Sequence, residues 1–270
     1  MKTLRTGKVG DLALRLVVKD GAFIGVIFAA DNSKKAQIEG TDADDVWRRL
    51  HDEAGKANPK YFGFDGARAR FLRFFPNGFH SKGYTDAERE YKVAAKKKLD
   101  ANVPVEKAAT RSGFAEAVLA VFRDTNLLSR FEKPRLAEVL RGPTADVIVR
   151  GAARFALGEG KPALLDMERA LKPHNVATWP AATYLPFLWR PEEHMFLKPE
   201  VTRDFAARVG HRFASDYEPR LDFAVYESLL DLASKTAVEL AELKPRDRID
   251  VQSFIWVVGG YWDDVDQPQP

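Results

Sequence analysis

The residues of this 270-residue chain that could do chemistry fall into three groups: histidines, acidic pairs, and a basic cluster interleaved with aromatics. His51, His80, His174, His194 and His211 lie in separate predicted elements, and no local pair has the four-residue spacing that sets two imidazoles on one metal. His174 and His194 are the two that a loop could bring into metal or acid–base work, although an ordinary hydrogen-bonded histidine is the simpler reading. The pairs Asp44/Asp45, Glu192/Glu193 and Asp263/Asp264 read as solvated charge, because metal-dependent phosphodiester chemistry wants carboxylates beside a lysine on a central sheet. With no cysteine, disulfides, thiolate nucleophiles and Cys-based metal centres are excluded. Phosphate-loop, dinucleotide, zinc-helix, nucleophile-elbow and EF-hand patterns are missing. No cofactor and no metal are expected, and the sequence leaves open whether the chain is an enzyme.

The basic cluster says more. Arg68, Arg70 and Arg73 alternate with Phe71, Phe74 and Phe75, and Lys82, Arg89, Lys92, Lys96, Lys97 and Lys98 follow along the next predicted helix. Cations beside Phe and Tyr are the mixture that phosphate contacts and base stacking use. The bland alternative is that Lys96–Lys98 complement a helix dipole and the arginines pair with Asp65, Asp86, Glu88 and Glu90. A net charge of +3 permits a polyanion partner but falls short of a nucleic-acid-coating protein.

These residues need elements to position them. Leu12–Val18 and Phe23–Ala29 read as strands joined by an Asp20-Gly21 turn, and Lys34–Glu39 as a third strand at a sheet edge. Thr41 with Asp44 predicts a helix start, with Val46, Trp47, Leu50 and Ala54 on the face that covers the sheet. A further helix is expected over Ala67–Phe75. Thr85 with Glu88 predicts a capping box, and helices follow at Val105–Ser112, Ala115–Arg123, Pro134–Leu140, Thr144–Leu157, Ala163–Leu171, Pro199–Val209, Phe223–Leu243 and Val251–Val258. Between Leu171 and Pro199 a Pro- and aromatic-rich stretch reads as a long loop, and long loops are often functional.

The expectation is an α+β fold: residues 1–80 as a small antiparallel β-meander with a covering helix, 81–262 as an all-α domain, and 263–270 as a flexible tail. The N-terminal residues carry charge without an apolar run of signal-peptide length, and no apolar stretch approaches the roughly 20 residues of a spanning helix. A cytoplasmic protein that does not engage a membrane is expected.

Three segments, Tyr61 to Pro76 (YFGFDGARARFLRFFP), His194 to Thr202 (HMFLKPEVT) and Arg248 to Val257 (RIDVQSFIWV), resemble a family of uncharacterised bacterial proteins, some near restriction and defence genes. The resemblance implies a nucleic-acid connection and supplies no catalytic residue. Read physically, the last segment is a helix capped by Asp250, with Val251, Phe254, Ile255 and Val258 facing the core and Gln252 available for a polar contact. In the second, Met195, Phe196 and Leu197 plug between helices while His194 and Lys198 flank them within reach of an anionic ligand.

The leading expectation is therefore a non-enzymatic protein that engages nucleic acid, or a nucleic-acid-processing and defence-related partner, through Arg68, Arg70, Arg73, Lys92, Lys96, Lys97 and Lys98. The alternative is a regulatory adaptor for a protein partner, using the sheet edge and the 172–198 aromatic loop with His174, Trp179, His194 and Lys198. A third is a hydrolase or nuclease with a dispersed site around His174, His194 and Lys198.

Overall fold

A computed structural model describes residues 2–261; the expected tail, 263–270, lies outside the described residues. The fold is α+β, a four-stranded antiparallel sheet followed by a mostly helical body. The chain divides into two compact units, Met1–Ala69 with Arg203–Tyr217, and Arg70–Thr202 with Glu218–Pro270. The expected boundary near residue 80 thus sits at 69/70, and residues 203–217 return to the first unit.

In the first unit the strands β1 (Lys2–Val9), β2 (Leu12–Lys19), β3 (Ala22–Phe28) and β4 (Lys34–Gly40) pair in the order β1-β2-β3-β4. Asp20 and Gly21 turn the β2–β3 hairpin with φ of 51° and 83°, the left-handed pair that matches strand twist. The sequence reading missed β1: its residues are mostly exposed and polar, so it lacks the apolar signature of the inner strands. Helix α1 (Ala43–Gly55) is capped by Asp42, which accepts from the Asp45 N–H at 2.7 Å, and not by Thr41. Leu50 and Ala54 of α1 pack on Leu14 and Ile27, with Val9, Leu12, Ala36, Ile38 and Trp47 around them. Gly25 permits this close approach, since a Cβ there would stand 3.0 Å from Leu50 Cδ1.

Helix α2 (Gly63–Phe74) starts four residues earlier than expected. There follow α3 (Lys82–Tyr84), a π-helical turn at Thr85–Arg89, and α4 (Glu90–Asn102). The expected Thr85 capping box is corrected here: Ser81 caps the helix, its Oγ accepting from the Tyr84 N–H, so Thr85 already lies inside it. The body continues through α5 (Val105–Ala108), α6 (Ala115–Arg123), α7 (Glu132–Leu140), α8 (Ala145–Arg154), α9 (Lys161–Leu171) and α10 (Trp179–Trp189). It ends with α11 (Pro199–Arg208), α12 (Phe213–Asp216), α13 (Phe223–Glu239) and α14 (Arg248–Gly260). No helix among the described residues is long and apolar enough to cross a membrane.

Helix α10 occupies the middle of the expected 172–198 loop. It is apolar on every face and almost wholly buried, so it shows no amphipathic period, and its prolines mask a helix that Thr178 caps. Trp179, Phe187, Trp189 and Phe196 are core residues here, and the aromatic docking patch expected of this segment does not exist.

The core of the second unit encloses a carboxylate. Asp250 is fully buried in the first turn of α14, where the N-cap is Asp247 instead, accepting from the Ile249 and Asp250 N–H groups. Tyr84 Oη donates to Asp250 Oδ1 at 2.7 Å, Arg89 at 2.9 Å, and Arg246 donates through its backbone and guanidinium. Burial alone would raise the Asp250 pKa, but the Arg246 and Tyr84 hydrogen bonds and the Arg89 charge outweigh it and hold the carboxyl below its ordinary value. Asp250→Ala takes the shared acceptor from the buried Tyr84 phenol and from the Arg89 guanidinium, which keeps only Asp247, and we expect a loss of about 3 kcal/mol, read from urea midpoints. A loss under about 1 kcal/mol would show that the cluster holds nothing.

Candidate functional site

The cluster around Asp250 fixes α14 beside α4, and one turn further along the two helices a small pocket opens. Lys92 and Tyr91 of α4, Gln252 and Trp256 of α14, Asn126 and Leu127 after α6, and Phe196 and Lys198 before α11 line it. Its cavity of about 30 Å³ has room for a water or for the oxygens of a small anion.

Lys92 is 1% exposed. Its Nζ donates to Ser253 Oγ at 2.8 Å and Glu88 Oε2 at 3.2 Å, while Tyr261 Oη donates to Glu88 Oε1. Burial brings the Lys92 pKa down to about 8, with Glu88 pulling the other way. The Lys92–Glu88 pair is neutral overall, so the pocket's uncompensated charge is that of Lys198. The Lys198 Nζ lies 4.0 Å from the centre of the Trp256 ring, a cation–π contact, and has no carboxylate within ion-pair distance among the described residues. Burial lowers its pKa, opposed only by the more distant Glu132 and Glu88. Gln252 is 5% exposed and its Oε1 has no hydrogen-bond partner, which leaves one polar end of a buried amide facing the pocket. A half-buried ammonium with no carboxylate beside it among the described residues is completed by an oxyanion, while the Gln252 Oε1, an acceptor, calls for an N–H or O–H donor.

The expected basic face is not assembled. Lys92 points into the core, bonded as described, because it falls on the buried stripe of α4 with Ala95 and Leu99. Lys96 donates to Asp100 and the Trp189 carbonyl, and Lys98 to Asp124 and the Ala120 carbonyl. Arg68 pairs with Asp65 at 3.5 Å, and Arg70 caps the C-terminus of α14 through the Val258 and Tyr261 carbonyls. Arg73 and Lys97 are exposed.

Nor does the expected histidine site come together. His174 is exposed beside Arg135 and Glu138 in a shallow groove. Trp179 donates to the Glu218 carbonyl from within the core. His194 is buried, its Nε2 against the Ala156 carbonyl and its Nδ1 against the Tyr226 hydroxyl, which also accepts from the Met195 N–H. That arrangement fits a neutral ring with the proton on Nε2. Among the described residues no three His, Asp or Glu side chains are grouped to hold a metal. Of the four residues singled out in the 172–198 segment, only Lys198 reaches the pocket. Gln252 was legible as a polar position in an apolar helix; Tyr91, Asn126 and Trp256 had no signal that separates them from ordinary surface or core.

No protein-family model, curated protein or solved structure matches this chain.

Burial brings the His194 pKa down to about 4, from 6.5 when unfolded, and the charges of Arg248 and Arg190 act the same way. Between those values the unfolded chain binds the extra proton, so stability holds above about pH 6.5 and falls as pH drops toward 4, by roughly 3 kcal/mol in all. His194→Gln removes this dependence. The stability gap between wild type and variant, measured by urea unfolding, should narrow on acidification; a gap that stays constant would show that His194 is not held neutral.

Proposed function

We propose that the helical unit is a recognition module for a phosphorylated ligand, the phosphate being that of a nucleotide or of a nucleic-acid end. The single observation that carries this is Lys198, a half-buried cation on the Trp256 ring with no anionic partner among the described residues, in a pocket that Lys92 also lines. A phosphoryl oxygen at Lys198 supplies a counter-charge, the Asn126 amide offers an N–H donor to a neighbouring oxygen, and the Gln252 Oε1 offers an acceptor to a hydroxyl or N–H of the attached group. Tyr91 and the exposed part of Trp256 give an attached sugar or base an aromatic wall. The reading keeps the nucleic-acid connection that the resemblance implies but moves it from an extended basic face to a single phosphate whose oxygens reach Lys198.

That shift is measurable. Isothermal titration with inorganic phosphate, AMP, and oligonucleotides bearing either a 5′-phosphate or a 5′-hydroxyl separates a free phosphate from a nucleic-acid terminus. We expect the phosphate-bearing ligands to gain from the pocket, Lys198→Met to weaken them at least tenfold, and the log–log salt slope of this contribution to be near one. Equal binding of 5′-phosphate and 5′-hydroxyl oligonucleotides with no binding of AMP or phosphate, or unchanged affinity in Lys198→Met, would overturn the proposal.

A further inference from the structure

A cavity larger than the Lys198 pocket lies in the first unit, on the sheet face that α1 does not cover. Cross-strand pairing fixes which residues share that face. Leu14 opposite Ile27 belongs to the α1 side, so the flanking sets Lys8–Ala13–Phe28 and Thr6–Arg15–Val26 belong to the other. Lys34, opposite Phe28, and Gln37, opposite Val26, extend this face across β4. The cavity measures about 530 Å³, within the usual range for small-molecule sites, and Lys8, Arg15, Thr6, Phe28 and Asn32 are its polar and aromatic lining.

The cations here stand apart from several ion-paired arginines elsewhere in the molecule. Arg48, Arg49, Arg154 and Arg208 all lie in ion pairs. Lys8 and Arg15 are exposed, have no carboxylate within ion-pair distance among the described residues, and share a cavity without any acidic lining. The Arg15 guanidinium stands 5.7 Å from the centre of the half-buried Phe28 ring, so a cation and an aromatic face are presented together.

We infer that this face binds single-stranded nucleic acid, with a base seated against Phe28 and Arg15 and the flanking phosphates held by Lys8, Arg15 and Lys34. Unpaired cations match a polyanion, and an aromatic on an open sheet matches an unstacked base, which a duplex keeps inside its stack. Thr6 and Asn32 offer hydrogen bonds to base edges or to the sugar. The inference does not rest on the Lys198 pocket, and the test keeps the two apart.

Fluorescence anisotropy with labelled single-stranded DNA and RNA ending in a 5′-hydroxyl, and with the matching duplexes, is measured across a salt series. The proteins are wild type, Lys8→Gln/Arg15→Gln, Phe28→Leu and Lys198→Met. Lys8 and Arg15 are exposed, so the double variant should keep its fold, which circular dichroism checks for every variant. We expect single strands to bind more tightly than duplexes, and the double variant to lose at least tenfold in affinity and about one to two units of log–log salt slope. Folded Phe28→Leu should lose severalfold with its slope unchanged, and Lys198→Met should bind as wild type does. Single strands bound no better than duplexes, or a double variant indistinguishable from wild type, would overturn the inference. An acidic peptide that binds this face while single strands do not would assign it to a protein partner instead and equally overturn it.

Discussion

A carboxylate enclosed in protein must be surrounded by donors or it will not stay ionised, and in the helical unit that requirement falls on Asp250. Arg89 reaches it from the π-helical turn, Tyr84 from the turn before, and Arg246 from the residues leading into α14. Arg89 also grips Asp247, the N-cap of the same helix, at 2.7 and 2.6 Å. Two acids and two guanidinium groups thus lock the start of α14 to the approach of α4. The π-turn, with its wider backbone ring, lies immediately before α4, and such bulges recur at functional sites.

What this constraint delivers is the placement of Gln252, Ser253 and Trp256 opposite Lys92. Inside the protein the outcome for each cation depends on its neighbours. Lys92 has Glu88 one turn away and a serine hydroxyl on the facing helix, so its charge is matched within the core. Among the described residues Lys198 has an aromatic ring and no paired carboxylate, and a ring stabilises an ammonium less than a carboxylate does. The same burial that lowers the Lys198 pKa strengthens its attraction for an incoming anion, because water screens it poorly.

Much of the architecture was legible in the sequence because it rests on local rules. The Asp20-Gly21 turn has one good solution, α1 carries its apolar stripe at Val46, Leu50 and Ala54, and α6 starts and stops where its periodicity does. The core face of α14, Val251, Phe254, Ile255 and Val258, was equally plain. What failed depended on tertiary surroundings. β1 is polar because it is an edge strand, and α10 lacks periodicity because it is buried all round. Asp250 reads as a helix cap until the arginines that bury it are in place, and Lys92 reads as one of a run of surface lysines until Ala95 and Leu99 show which way it faces. Lys198 was visible as a cation beside an apolar plug, but its partners come from three distant segments, and nothing local announces them.

The most direct test is side-chain ammonium NMR of the lysines in the full-length protein, following Lys198 through a pH titration with and without AMP. The free Lys198 ammonium should titrate below an ordinary lysine and its pKa should rise when AMP is added, since a bound anion favours the charged form. A Lys198 that titrates as an exposed lysine does, or that is unmoved by AMP, would contradict the proposed phosphate site.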